Sequence, residues 1–394
     1  VEYGASAQNR PCGNAATPLH PAFDKLTIME KTPRLKDIAD LANVSIGTVD
    51  RVLHDRGRVA ADTKEKVLRI AKEIGYQPNI HASILSGSSR SYRLCCLVPT
   101  NGMDPFWDQV HEGFQKALSQ IGDQNVEVDL VEFDLFSPAD FTEKVSRLRL
   151  GKYNGLIVAP VFQREYEGLR KAIHRSEIPF VVINTLIKDE DPSFLCYIGP
   201  HAYQSGRLAA RLLGQHCGAG DKVLMIPLEQ DYRNAQHMLE KERGFRDCFS
   251  EIAPQVKVIT ADFEDYNDPK ALGNFVTDMI LQHPTIKGIY TSASRISKVA
   301  ASMEELKIDH IKLIGYDTLD ENLTYLNKGK ITYLINQNPR LMGYLGMIYL
   351  AKYLVFKSCP EQYNYLPLDV VLPENVSYFQ NHYLLHDILF IPFM

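Results

Sequence analysis

Between residues 35 and 74 apolar side chains recur three times at helical spacing. Leu35, Ile38, Ala39 and Ala42 fall on one face of a short helix. Asn43 follows, a residue that tolerates the left-handed backbone of a tight turn. Val44 can plug the gap between two helices, and Ser45 is placed to cap the second. That helix, Ile46 to Leu53, buries Val49, Val52 and Leu53 and turns Ile46, Gly47, Asp50 and Arg51 outward. A third helix, about Ala61 to Ile74, closes the unit with Val67, Ile70, Ala71 and Ile74 and ends at Gly75. So small a core leaves the second helix presented to a partner.

Past the flexible composition of Ser86–Tyr92 (SGSSRSY), the pattern changes to short apolar runs alternating with amphipathic ones. Strands are expected at Arg93–Pro99, Val126–Phe133, Gly155–Ala159, 179–183, Leu195–Ile198, Lys222–Ile226, Val256–Ala261, Ile286–Tyr290 and Lys312–Gly315. Helices are expected between them at Phe106–Ile121, Pro138–Leu150, 162–176, Tyr203–His216, 236–251, 269–283 and 295–306. Such alternation predicts parallel sheets flanked by helices, and strands like FVVI suit sheets covered on both faces. The fold class is thus an all-α helix-turn-helix head joined by a hinge to an α/β body of two lobes.

Charge sharpens the division. From Lys31 to Arg93 there are 12 Lys/Arg against 7 Asp/Glu, whereas the rest of the chain has 31 against 41. A basic head on an acidic body is the asymmetry of a phosphate-binding module. At 45% hydrophobic and 23% charged residues the whole chain has no disordered character, but residues 1–30 lack any period. Two readings of that segment stay open: a disordered arm, or residues ahead of a true start at Met29. Seven scattered cysteines without a CxxC pair indicate neither disulfides nor zinc.

The run Asp37-Ile38-Ala39, then Ala42 through Leu53 (ANVSIGTVDRVL), then Ile74-Gly75-Tyr76-Gln77-Pro78-Asn79, resembles the head of the lac repressor (LacI/GalR) family. The resemblance implies a DNA-binding domain over residues 31–78 and a homodimer on a near-palindromic double-stranded operator, in the cytoplasm. It implies DNA contacts from Ser45, Ile46, Gly47, Thr48, Asp50, Arg51 and His54. Beyond Asn79 it implies a hinge helix within residues 79–92 carrying Ala82 and the wedge residue Leu85. Asp50 replaces a common serine, and accepting from a cytosine amino group or holding Arg51 are both open to it. Ala60 stands where a serine caps the third helix; Asp62 compensates through the helix dipole.

The body, about residues 93–379, resembles the ribose-binding-protein type of sugar receptor. Three crossings between lobes are implied near 198, 317 and 337. They give lobe one 93–197 and 318–336, and lobe two 198–316 and 338–379. An apolar tail, 380–394, follows, with docking on the body favoured over an oligomerisation helix.

In such folds ligands sit at the carboxyl ends of strands. There the chain places Asn101, Asp104, and the rings of Phe106 and Trp107, which can stack on a sugar face. Asn184 stands where ribose receptors have a carboxylate. The resemblance further implies Asp317 of Gly-Tyr-Asp and Gln337 as hydroxyl partners, and aligns Lys241 with a binding arginine. Arg243 and Arg295 add cations, so the expected effector is a sugar or, slightly favoured, a sugar acid. No cofactor or metal is called for. GxSxG, HExxH, the phosphate loop and GxGxxG are all absent, which argues against an enzyme. The alternative function is a sugar receptor with no DNA role.

Overall fold

The computed structural model describes residues 35–53, 59–74, 91–121, 126–187 and 193–380. The expectations for residues 1–30, His54, Gly75, Asn79, Ala82, Leu85 and the tail beyond 380 lie outside them. The chain divides into two compact units, a head and a body.

The head consists of α1 (Leu35–Ala42), α2 (Ile46–Leu53) and α3 (Ala61–Glu73). Its core is Ile38, Ala39, Ala42, Val49, Val52, Val67, Ile70 and Ala71, the residues that helical spacing selects. Asn43 turns the chain at φ +57°, and Val44 N–H donates back to Ala39 O at 3.0 Å. Ser45 Oγ accepts from Thr48 N–H at 3.1 Å, so it is the cap of α2.

In the body, β1 (Tyr92–Pro99), α4 (Pro105–Ile121), β2 (Val126–Phe133), α5 (Pro138–Arg147), β3 (Gly155–Val158), α6 (Gln163–Ser176), β4 (Phe180–Ile183) and β5 (Cys196–Gly199) build lobe one. Lobe two follows with α7 (Ala202–Gly214), β6 (Lys222–Met225), α8 (Gln236–Ile252), β7 (Lys257–Thr260), α9 (Pro269–Gln282), β8 (Ile286–Tyr290), α10 (Ile296–Glu305) and β9 (Lys312–Tyr316). Then come α11 (Asp320–Asn327), β10 (Tyr333–Asn336), α12 (Pro339–Phe356), β11 (Tyr363–Tyr365), β12 (Asp369–Val371) and α13 (Val376–Gln380). The first sheet runs β11-β5-β4-β3-β1-β2, parallel throughout. The second runs β12-β10-β9-β8-β6-β7, with only β12 antiparallel.

The lobe boundaries differ from the expectation. Residues 318–336 belong to lobe two, because Leu323, Leu326 and Leu334 bury in its core and β10 pairs with β9. Chain crossings therefore fall after Gly199, at Gln337–Asn338 and between Tyr365 and Asp369, and none falls at 317. The helix α12 returns to lobe one, where Met342, Met347, Ile348 and Leu350 join the core. It packs on α4 and on the sheet, so apolar residues surround it and no amphipathic period marks it in the sequence.

Candidate functional sites: an exposed helix and a cleft between lobes

On the head, Ser45, Ile46, Gly47 and Arg51 are exposed, while Thr48 and Asp50 are half-buried. Ile46 leaves 49% of its surface open, an apolar side chain with no internal role. A Cβ added at Gly47 would meet nothing nearer than Ser45 Oγ at 3.9 Å, so the head's own packing does not require glycine there. Arg51 lies along its helix, its guanidinium donating to Gly47 O at 3.1 Å and Thr48 Oγ1 at 3.4 Å.

In the body, the carboxyl ends of both sheets face a narrow cleft between the lobes. Lobe one supplies Asp104, Phe106, Trp107, Leu135, Phe162 and Asn184; lobe two supplies Glu229, Asn234, His237, Lys241, Ser292, Ser294 and Arg295. Gln337 lines it from the hinge. The two rings meet edge to face at 5.3 Å.

Asp104 has two tasks. Its Oδ1 accepts from Phe106 N–H at 2.9 Å and starts α4, and its Oδ2 accepts from Arg295 across the cleft at 2.6 Å. Arg295 also donates to Glu229 Oε2 at 2.9 Å and Leu228 O at 3.2 Å. The guanidinium lies 5.4 Å from the Phe136 ring centre and 5.5 Å from that of Tyr266. Burial pushes the Glu229 carboxyl up, and Arg295 pulls it back.

Further bonds join the lobes. Thr185 Oγ1 and His237 Nδ1 lie 3.0 Å apart, Asn234 bridges Arg164 N–H and Glu165, and Arg164 pairs with Asp231 at 3.0 Å. Burial, then the charge of Lys241, holds the His237 imidazole down at about 3.

Lys241 reaches the cleft from α8. Its ammonium donates to Ser292 O at 3.0 Å and sits 3.7 Å from the centre of the Tyr316 ring. Burial lowers its pKa to about 8, with Asp317 opposing. Asp317 itself is fully buried behind the wall. Its Oδ1 accepts from Gln337 N–H at 3.0 Å, and its Oδ2 from Gln337 Nε2 at 2.7 Å and Ser294 Oγ at 2.5 Å. Burial raises this carboxyl against those donors.

Asp104, Phe106, Trp107, Asn184, Lys241, Arg295 and Gln337 thus converge as the sequence led one to expect. Three expected contacts do not reach the wall. Asn101 is exposed on a loop where its N–H bonds Glu132. Arg243 points outward to Glu240 at 2.6 Å and over Tyr203. Asp317 positions Gln337 and Ser294 instead of lining the cleft. Sequence reasoning missed Glu229 and His237, although Glu229 follows strand β6 and the strand-end rule reaches it. Among the described residues no cluster of three or more His, Cys, Asp or Glu forms a metal site, and no helix is long and apolar enough to cross a membrane.

Two family models match the chain. Residues 34–79 match bacterial regulatory proteins of the lacI family, and residues 95–358 match the periplasmic binding protein domain. The ribose operon repressor of Halalkalibacterium halodurans is 27% identical over 72% of this chain and 80% of its own length. The sucrose operon repressor of Streptococcus mutans is 23% identical over 87% of this chain and 99% of its own. With the transcriptional regulator DegA of Bacillus subtilis the match, 28% identical over 38% of this chain, spans only 42% of that protein. A solved structure described as a LacI transcriptional regulator from Bacteroides fragilis has a TM-score of 0.68 and 24% identity. It covers 73% of this chain and 99% of that one, a likeness of fold.

Proposed function

We propose, because the chain belongs to the lacI family of bacterial regulatory proteins with a periplasmic-binding-protein domain as its body, that it is a cytoplasmic repressor whose hold on operator DNA is set by a sugar in the cleft. The observation that carries the DNA half is the outward face of α2. Ile46 is exposed, Gly47 leaves room for a close approach, and Arg51 can swing from its own helix onto a guanine edge. One such helix reads few base pairs, so the regulator acts as a homodimer on a two-fold symmetric site. Ser45, Thr48 and Asp50 flank the reading face, and His54, Asn79, Ala82 and Leu85 continue the contact along the chain. The sugar half is supported by the mix of two rings and many uncharged polar groups at the strand ends, and by relatives named for ribose and sucrose.

The test is selection of binding sites from random duplexes with the full chain, followed by gel-shift titration of the selected site with and without ribose and sucrose. The expected result is a palindromic site whose affinity changes with one sugar. Retention of all duplexes alike, or a selected site indifferent to every sugar, overturns the respective half.

A further inference from the structure

The guanidinium of the cleft is already spent on carboxylates from both lobes. Arg295 is held by Asp104 from lobe one and by Glu229 from lobe two, at 2.6 and 2.9 Å. Its partners are only 8% and 13% exposed, so solvent screens little of the pairing. Lys241 spends one donor on Ser292 O, faces the Tyr316 ring, and has the buried Asp317 carboxylate nearby. Around the cleft, the acids Asp104 and Glu229 hold Arg295 and Asp231 holds Arg164, which leaves Lys241, among the described residues, as the one cation of the cleft lining without an acid bound to it. An incoming carboxylate would find its best cation already shared by two carboxylates, and would have to displace one or lie beside it. Hydroxyl groups meet no such penalty. Asn184, Asn234, His237, Ser292, Ser294 and Gln337 offer them uncharged donors and acceptors, the imidazole being kept neutral by burial.

We infer that the cleft selects a neutral polyhydroxylated effector and rejects the matching sugar acid, and that Asp104 and Glu229 set this selectivity by clamping Arg295. The inference rests on the sugar reading above and narrows it against the sugar-acid expectation raised by the cations alone. Its sharpest consequence is a gain of function: removing one clamp charge should free Arg295 for a ligand carboxylate.

The experiment is calorimetric titration of the full chain with paired probes: glucose against glucuronate, galactose against galacturonate, and ribose and sucrose as further neutral sugars. The expected result is binding of at least one neutral sugar, with its acid at least about tenfold weaker because like charges are forced together. In Glu229→Gln and in Asp104→Asn the ratio of acid to neutral affinity should rise several-fold. Two variants guard against one that merely loosens the fold. An acid that binds the unaltered chain more tightly than its neutral partner overturns the inference and leaves the sugar reading standing. A ratio unchanged in both variants overturns the role of the clamp. Failure of every probe to bind overturns the sugar reading and the inference together.

Discussion

Asn184 in lobe one and Asp317 in lobe two occupy matching places, and their difference explains how the cleft works. Each follows a central strand, β4 or β9, and each is left-handed, at φ +64° and +68°. Each donates its N–H to the neighbouring strand, Asn184 to Ile198 O at 3.1 Å and Asp317 to Ile335 O at 3.0 Å. The side chains then part company. Asn184 bonds Thr185 at 3.3 Å, and Thr185 meets His237 of the opposite lobe. Asp317 turns inward and gathers Ser294, Gln337 and the charge of Lys241. An amide can stay on the wall with few partners. A carboxylate at that depth persists only inside a network that satisfies it.

The largest test of this difference is truncation at both places. Asp317→Ala removes three accepted bonds, strands their buried donors and takes a countercharge from the neighbourhood of Lys241, which should cost about 3–5 kcal/mol. Asn184→Ala keeps the backbone and loses a weak bond and a good left-handed residue, for about 1 kcal/mol. Urea midpoints of the body measure both. Equal losses at the two places would break the comparison.

A smaller effect should be the same in the two lobes. In lobe one α4 crosses α12 so closely that a Cβ at Gly113 would overlap the Arg340 carbonyl. In lobe two α7 crosses α8 with Gly244 against the Tyr203 carbonyl. The obstacle is backbone in each case, so Gly113→Ala and Gly244→Ala should each cost about 1–3 kcal/mol by the same urea measurement. A cost confined to one lobe would show that the shared plan is only superficial.

Legibility also divides the molecule. In the head the turn at Asn43, the cap at Ser45 and the exposed face of α2 lie within nine residues, so periodicity and local chemistry reveal them. In the body the strand-end rule pointed to Phe106 and Trp107, and the family resemblance to Gln337, but neither gave the state of Arg295. Its partners lie 191 and 66 residues away, and only the folded sheets bring them together. Arg243 was recoverable. It sits two residues from Lys241 on one helix, about 200° around, so both could not face the cleft. The lobe of residues 318–336 was not, because Leu323 and Leu326 mark a buried helix face without saying which sheet it covers.

The smallest test concerns His237, where the lobes touch. Its imidazole is pushed down to about 3, first by burial and then by Lys241. Above pH 6.5, the ordinary value, it is neutral in folded and unfolded chains and contributes nothing to pH dependence. Below 6.5 the unfolded chain binds a proton that the folded body refuses, so stability falls as pH drops toward 3. By pH 5.5 the loss should be about 1 kcal/mol. Glu229 and Asp317 work in the opposite sense, since burial raises both and protonation favours the folded form as acid is added. Comparing urea midpoints of the unaltered chain and His237→Gln at pH 7.5 and 5.5 isolates the imidazole from those carboxyls. The variant should lose less stability than the parent on acidification. Parallel losses would mean that His237 takes up its proton in the folded body as readily as in the unfolded chain.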